Sequence, residues 1–209
     1  PRVRRQRQMC IRDSADTYKW RQYQADAVFN YVKSFNEKHN LNVTAGYAYY
    51  FRKEARLAAA GRGASTDLIP TLNASSVPVS VSSSITERSM QGIFARIGYD
   101  YKDKYLISVS ARYDGASNLG TNNKWGFFPG VSLGWHVDKE KFWSFMPENL
   151  MRLKLRASYG VNGNISGLGD YTAQGSYSVG SKYLGNAGIT MGTMANQDLS
   201  WEESKTFDI

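Results

Sequence analysis

Strict two-residue alternation recurs along this chain. In Leu41-Asn42-Val43-Thr44-Ala45-Gly46-Tyr47-Ala48-Tyr49-Tyr50-Phe51 the odd positions are apolar or aromatic, and the even positions begin Asn, Thr, Gly. Tyr105-Leu106-Ile107-Ser108-Val109-Ser110-Ala111-Arg112-Tyr113-Asp114 and Met151-Arg152-Leu153-Lys154-Leu155-Arg156-Ala157-Ser158-Tyr159 repeat the pattern. A strand sends successive side chains to opposite faces. One face is therefore apolar and ends in aromatics, while the other carries Asn, Ser, Thr, Lys and Arg. Lipid on one side and a polar lumen on the other produce this dyad in a transmembrane β-barrel.

A soluble antiparallel sandwich also alternates. The mean hydropathy is low, at −0.48. No apolar run approaches the ~20 residues that a membrane helix needs. Barrel strands need no such run, since only every second residue meets lipid.

Seven strand candidates follow, at 22–35, 41–53, 84–100, 104–114, 127–137, 151–161 and 200–209. Short connections (Asn36–Asn40, Tyr101–Asp103 and the aromatic Asp138–Leu150) alternate with long polar ones at 54–83, 115–126 and 162–199. Ala55–Ala60 has the composition of a short helical turn. Up-and-down strands would gather the long loops at one end, as outer-membrane barrels do. A Greek-key sandwich has no reason to sort its loops. Tyr47, Tyr49, Phe51, Tyr113 and Tyr159 lie toward the long loops, and Phe35, Tyr99, Tyr105 and Trp135 toward the short turns. Two interfacial girdles have this form. The expected fold is all-β: an antiparallel, up-and-down curved sheet, an incomplete segment of a large barrel.

The formal charge is +8. Half of it lies in residues 1–14, PRVRRQRQMCIRDS, which hold five Arg and one Asp. This stretch resembles translated adapter sequence more than a nucleic-acid arm, and is expected to be a non-native, disordered leader. Residues 15–209 are the expected partial barrel. Both ends read as cuts. Cys10, in the leader, is the one cysteine, so neither a disulfide framework nor a thiolate metal site is expected.

Motifs for catalysis are weak. Gly163–Asp170 is Gly-rich, but no helix follows it, and a phosphate cradle needs that helix N-terminus. His39 and His136 are isolated, and Asp114, Glu140, Glu202 and Glu203 fall on separate elements. No enzyme activity, cofactor, metal or nucleic-acid partner is expected.

Longer strings are more specific. Arg112-Tyr113-Asp114-Gly115-Ala116-Ser117-Asn118-Leu119-Gly120 precedes Trp125-Gly126-Phe127-Phe128-Pro129-Gly130-Val131-Ser132-Leu133-Gly134-Trp135. Leu153–Asn164 and Asn196-Gln197-Asp198-Leu199-Ser200-Trp201-Glu202 follow. In this order and spacing, from about Tyr18 to Ile209, they resemble the SusC/RagA family of TonB-linked outer-membrane proteins. Ala116, Leu119, Gly130 and Gln197 depart from the family's usual Ser, Phe, Ser and Pro. The resemblance implies a large barrel with a plug that this chain lacks, in the outer membrane of a Gram-negative, Bacteroidetes-like cell. It also implies a SusD-like surface lipoprotein over the mouth, energy from the TonB complex, and import of oligosaccharides or peptides.

Beside that reading stand a soluble or surface-exposed glycan-binding or adhesion module and an outer-membrane enzyme. Among loop aromatics, Trp125, Tyr171, Tyr177 and Tyr183 are the candidates for ligand or lid contact, with simple loop packing as the alternative. Arg96, Arg112, Arg152, Lys154 and Arg156 share lumen parity and form a candidate basic stripe. It would either steer anionic substrates or be neutralised by plug carboxylates; the second is preferred, because unpaired charges are costly against a packed plug.

Overall fold

The computed structural model describes residues 12–64, 68–69, 71–143 and 152–209. Nine strands form in chain order: β1 (Arg12–Phe35), β2 (His39–Ala64), β3 (Ser75–Tyr101), β4 (Tyr105–Ala116), β5 (Trp125–His136), β6 (Lys154–Asn164), β7 (Tyr177–Tyr183), β8 (Asn186–Met191) and β9 (Glu202–Asp208). Seven make one sheet in the order β1-β2-β3-β4-β5-β6-β9, and β7 pairs with β8 alone. Sequence order and spatial order agree, which is up-and-down topology. Among the described residues β1 and β9 do not pair with each other, so the sheet is not closed.

Two tight turns set the hairpins. Asn36 and Glu37 in the first, and Lys102 and Asp103 in the second, all take positive φ, between 49° and 55°. Such paired left-handed residues match the twist of the flanking strands. The Asp103 N–H donates to the Asp100 carboxylate at 2.9 Å, which holds the second turn.

Register carries the face assignment. Ile97 pairs with Val109, Val109 with Val131, Val131 with Tyr159, and Tyr159 with Phe207. One step along, Tyr99, Ile107, Leu133 and Ala157 form the next row. Directly paired residues share a face, so the apolar parity continues across five strands. Most of these side chains are exposed, including Ile97, Val109, Val131, Leu133, Leu155 and Phe207. The buried apolar residues among those described are Ala116, Leu119, Phe128, Val137 and Ala173 alone. A sandwich would bury one face of the sheet in a dry core; this sheet has none. β4, β5 and β6 have 12, 12 and 11 residues, close to the roughly 9–11 needed to cross a bilayer.

Contacts divide the chain into two compact units. One takes the chain up to Gln22 with Arg52–Glu87; the other takes Tyr23–Phe51 with Arg88–Ile209. In the first, Arg56 pairs with Asp16, and Lys53 with Glu87.

The structure corrects several expectations. The first long loop is mostly strand: β2 runs to Ala64 and β3 starts at Ser75. Ala55–Ala60 is extended, not a helical turn. Val77, Val79, Val81 and Ile85 alternate with Pro78, Ser80, Ser82 and Ser84, a period that Ser-rich composition disguises as loop. The connection 165–201 holds the β7–β8 hairpin, where a bulge between Val179 and Ser181 breaks the alternation. β1 takes in residues 12–14 of the basic opening. Residues 1–11 and most of the aromatic connection 144–151 lie outside the described residues.

In the full-length protein, Val109→Arg is expected to cost about 2–4 kcal/mol in lipid-folding titrations, as for a mid-bilayer charge. Ser108→Arg, on the opposite face, should cost less; the reverse order would invert the faces.

Candidate functional site

The polar face is the candidate site. Gly98, Ser108, Ser132, Ser158 and Asp208 form one cross-strand row, and Asp100, Leu106, Gly134 and Arg156 the next. A concavity of about 880 Å³ lies over these rows, lined in part by Asn40, Asn42, Thr44, Arg96, Lys154 and Arg156. The Asp100 carboxylate also accepts from Asn40 Nδ2 at 3.2 Å.

The basic candidates divide. Arg112 donates twice to the Asp114 carboxylate at 3.0 Å and lies over the Phe94 ring at 5.4 Å, so its charge is matched. Arg96 Nε donates to Ser108 Oγ at 3.1 Å. Arg96, Lys154 and Arg156 have no ion-pair partner among the described residues. Arg152 lies two residues before β6, which begins at Lys154. The Leu153 carbonyl between them accepts from the Val137 N–H at 3.0 Å.

Apolar side chains on the polar face rest where glycines leave room. Phe94 covers Gly46, Leu106 leans on Gly134, and Phe128 packs against Gly126 and Gly163. A Cβ at Gly46, Gly126 or Gly163 would collide with the aromatic ring above it. Phe128 also meets Trp201 edge-on at 5.2 Å.

The β4–β5 connection is clamped to the stretch before β9. The Gly120 N–H donates to the Leu199 carbonyl at 2.9 Å, and the Asn122 N–H to the Gln197 carbonyl at 3.2 Å. Asn122 Nδ2 reaches Asp198 Oδ1 at 2.7 Å, Asn123 Nδ2 the Asp198 carbonyl at 2.9 Å, and Trp201 Nε1 the Lys124 carbonyl at 3.2 Å. Only glycine fits at 120, because a Cβ would overlap the Gln197 carbonyl. Asn118 is wholly buried beside Leu119, and its amide has no partner among the described residues; nothing in the structure accounts for it. Arg88 Nε joins the assembly through Asp170 at 2.6 Å. Residues 120–124 and 197–201 are thus the two sides of one clamp. Sequence reasoning missed this pairing, because no pattern within either string names its partner.

The aromatic candidates do not converge. Trp125 opens β5, on the apolar face, and stacks on Tyr113 at 5.0 Å and 11°. Tyr171 lies in a turn, while Tyr177 and Tyr183 lie on β7. Tyr177 pairs with Met191 and Tyr183 with Asn186, and the bulge between them turns the two rings to opposite faces of the hairpin.

At the short-turn end Glu140 gathers the girdle. Its carboxylate accepts from the Tyr105 hydroxyl at 2.6 Å, Lys104 Nζ at 3.2 Å and Trp135 Nε1 at 3.4 Å. The Tyr105 hydrogen bond is the main cause that lowers the Glu140 pKa; partial burial opposes it, and Lys104 and Trp135 add to the lowering. Tyr101 stacks on Tyr105 at 6.4 Å, and Tyr99 is hydrogen-bonded to His39 Nδ1 at 2.6 Å.

Comparison with known proteins agrees with this geometry. The family model described as TonB dependent receptor-like, beta-barrel matches residues 5–209. TonB-dependent receptor P39 of Formosa agariphila is 36% identical over 188 residues, covering 87% of this chain and 18% of that protein. TonB-dependent receptor SusC of Bacteroides thetaiotaomicron is 29% identical over 129 residues, covering 59% of this chain and 13% of that protein. The RagAB peptide importer in its closed-closed state superposes with a TM-score of 0.79 at 26% identity, over 94% of this chain and 22% of that one. The chain spans about a fifth of the length of these relatives.

Because the Glu140 pKa is lowered on folding, its hydrogen bonds stabilise the fold above the ordinary carboxylate value of 4.5 and lose that effect as pH falls through the lowered value. Thermal unfolding of the full-length protein between about pH 5 and about pH 3 should show a larger loss for wild type than for Glu140→Gln. Coincident pH profiles would remove Glu140 from the account.

Proposed function

We propose a function from the premise that this chain belongs to the TonB dependent receptor-like β-barrel family: it forms part of the wall of an outer-membrane transporter. The carrying observation is the continuous, exposed apolar face backed by a polar one. Lipid solvates the first, and the second lines the path or meets the plug. An adhesion module in water would have to cover that band. The chemistry is transport, not catalysis. The full-length protein works with a SusD-like lipoprotein and draws energy from the TonB complex, and its cargo is oligosaccharide or peptide.

Within this reading Tyr171, Tyr177 and Tyr183 contact ligand or lipoprotein, since aromatic faces stack on sugars and anchor interfaces. Trp125 is left to the lipid interface. Arg96, Lys154 and Arg156 meet carboxylates supplied by the rest of the protein, because leaving them unmatched inside a filled lumen would be costly.

The test is uptake by cells that carry the full-length protein, with and without TonB. Uptake should need TonB, and the Tyr177→Ala, Tyr183→Ala double variant should weaken cargo or lipoprotein capture by about threefold to tenfold. Lys154→Glu should lower barrel stability while sparing uptake of neutral cargo per folded molecule. TonB-independent uptake, or none, would overturn the transporter reading.

A further inference from the structure

β3 outruns its neighbour. Its last paired residue on β4 is Met90, opposite Ala116. Its neighbours in the sheet are β2 and β4 only, so from Ser76 to Ile85 the β4 side of β3 has no strand partner among the described residues. Every residue from Ser76 to Ile85 is exposed. A bare strand edge presents a row of N–H and C=O groups that template another chain.

Proteins usually blunt such edges with charge. In this unit the two outer strands differ. β1 carries Asp13, Asp16, Lys19 and Arg21 before Gln22, whereas Ser76–Ile85 carries no charge at all. One face carries Val77, Val79, Val81, Ser83 and Ile85, and the other Ser76, Pro78, Ser80, Ser82 and Ser84. Pro78 removes one donor and leaves the rest of the ladder intact. High β-propensity with neutral, small side chains favours main-chain recognition that tolerates many partner sequences.

We propose that Ser76–Ile85 is a docking edge for extended peptide cargo, which adds as a further strand through main-chain hydrogen bonds. This rests on the transporter reading and chooses peptide within it. An oligosaccharide cannot supply donors and acceptors that alternate at the strand repeat, whereas any extended peptide does. The RagAB relative is a peptide importer by its own description, which agrees with that choice. Val and Ser side chains offer no deep pocket, so selection should be by length and extension more than by side-chain identity.

Amide hydrogen exchange on the full-length transporter tests the edge. The probe is a neutral linear peptide of about ten residues, alternating Thr and Val, with its fully N-methylated analogue as control. Without peptide, alternate amides across residues 79–85 should exchange fast; the peptide should slow them by about tenfold, and the analogue should not. Protection before any peptide is added would mean that the protein's own chain or a second copy fills the edge, and would overturn the proposal. Equal effects of the two peptides, or none from either, would also overturn it. TonB-dependent peptide uptake with an unprotected edge would sink this proposal alone, whereas absence of all TonB-dependent uptake would sink the transporter reading beneath it.

Discussion

Cross-strand register is the constraint on which this structure depends. A one-residue slip of any strand would send its whole apolar set to the other face. The row Ile97–Val109–Val131–Tyr159–Phe207 shows that no slip accumulates across five strands. In a bilayer the cost of a slip is severe, since polar groups meet hydrocarbon and backbone groups have no water to fall back on. The tight turns at 36–37 and 102–103 fix the register locally. The 120–124 and 197–201 clamp fixes it between β5 and the distant β9.

Fixed register then lets the two faces follow different chemistry. On the apolar side, aromatics gather into contacts such as Tyr113–Trp125 and Tyr101–Tyr105. On the polar side, several apolar side chains lie over glycine, as at Phe94 on Gly46 and Phe128 on Gly126. Charge on that side is partly matched within the chain, at Arg112–Asp114, while Lys154 and Arg156 have no ion-pair partner among the described residues. The unmatched part is where the wall should engage what fills the barrel.

Much of this was legible in the sequence. Alternation identified all seven strands of the main sheet, because Ile, Val, Ser and Arg occupy fixed parity in β3 to β6. Of the family strings, Gly120 and Trp201 sit in the clamp, at a close approach and on a hydrogen bond. What sequence reasoning missed has physical causes. Ser and Ala in 54–64 and 75–83 carry little apolar contrast, so strand looked like loop. The bulge in β7 shifted parity mid-strand and separated Tyr177 from Tyr183. Tyr159 fell mid-strand because β6 runs on to Asn164. Loop-to-loop docking was invisible because it joins positions some 77 residues apart, as Lys124 and Trp201 are.

The most direct test of the two-faced wall is site-directed spin labelling of the full-length protein in lipid bilayers, on a background without native cysteines. Labels at Ile97, Val109 and Val131 should be relaxed by dissolved oxygen and shielded from a water-soluble paramagnetic reagent. Labels at Gly98, Ser108 and Ser132 should be shielded from oxygen in the lipid. Equal accessibility of the two sets, or their exchange, would contradict a wall with lipid on one side and a polar lumen on the other.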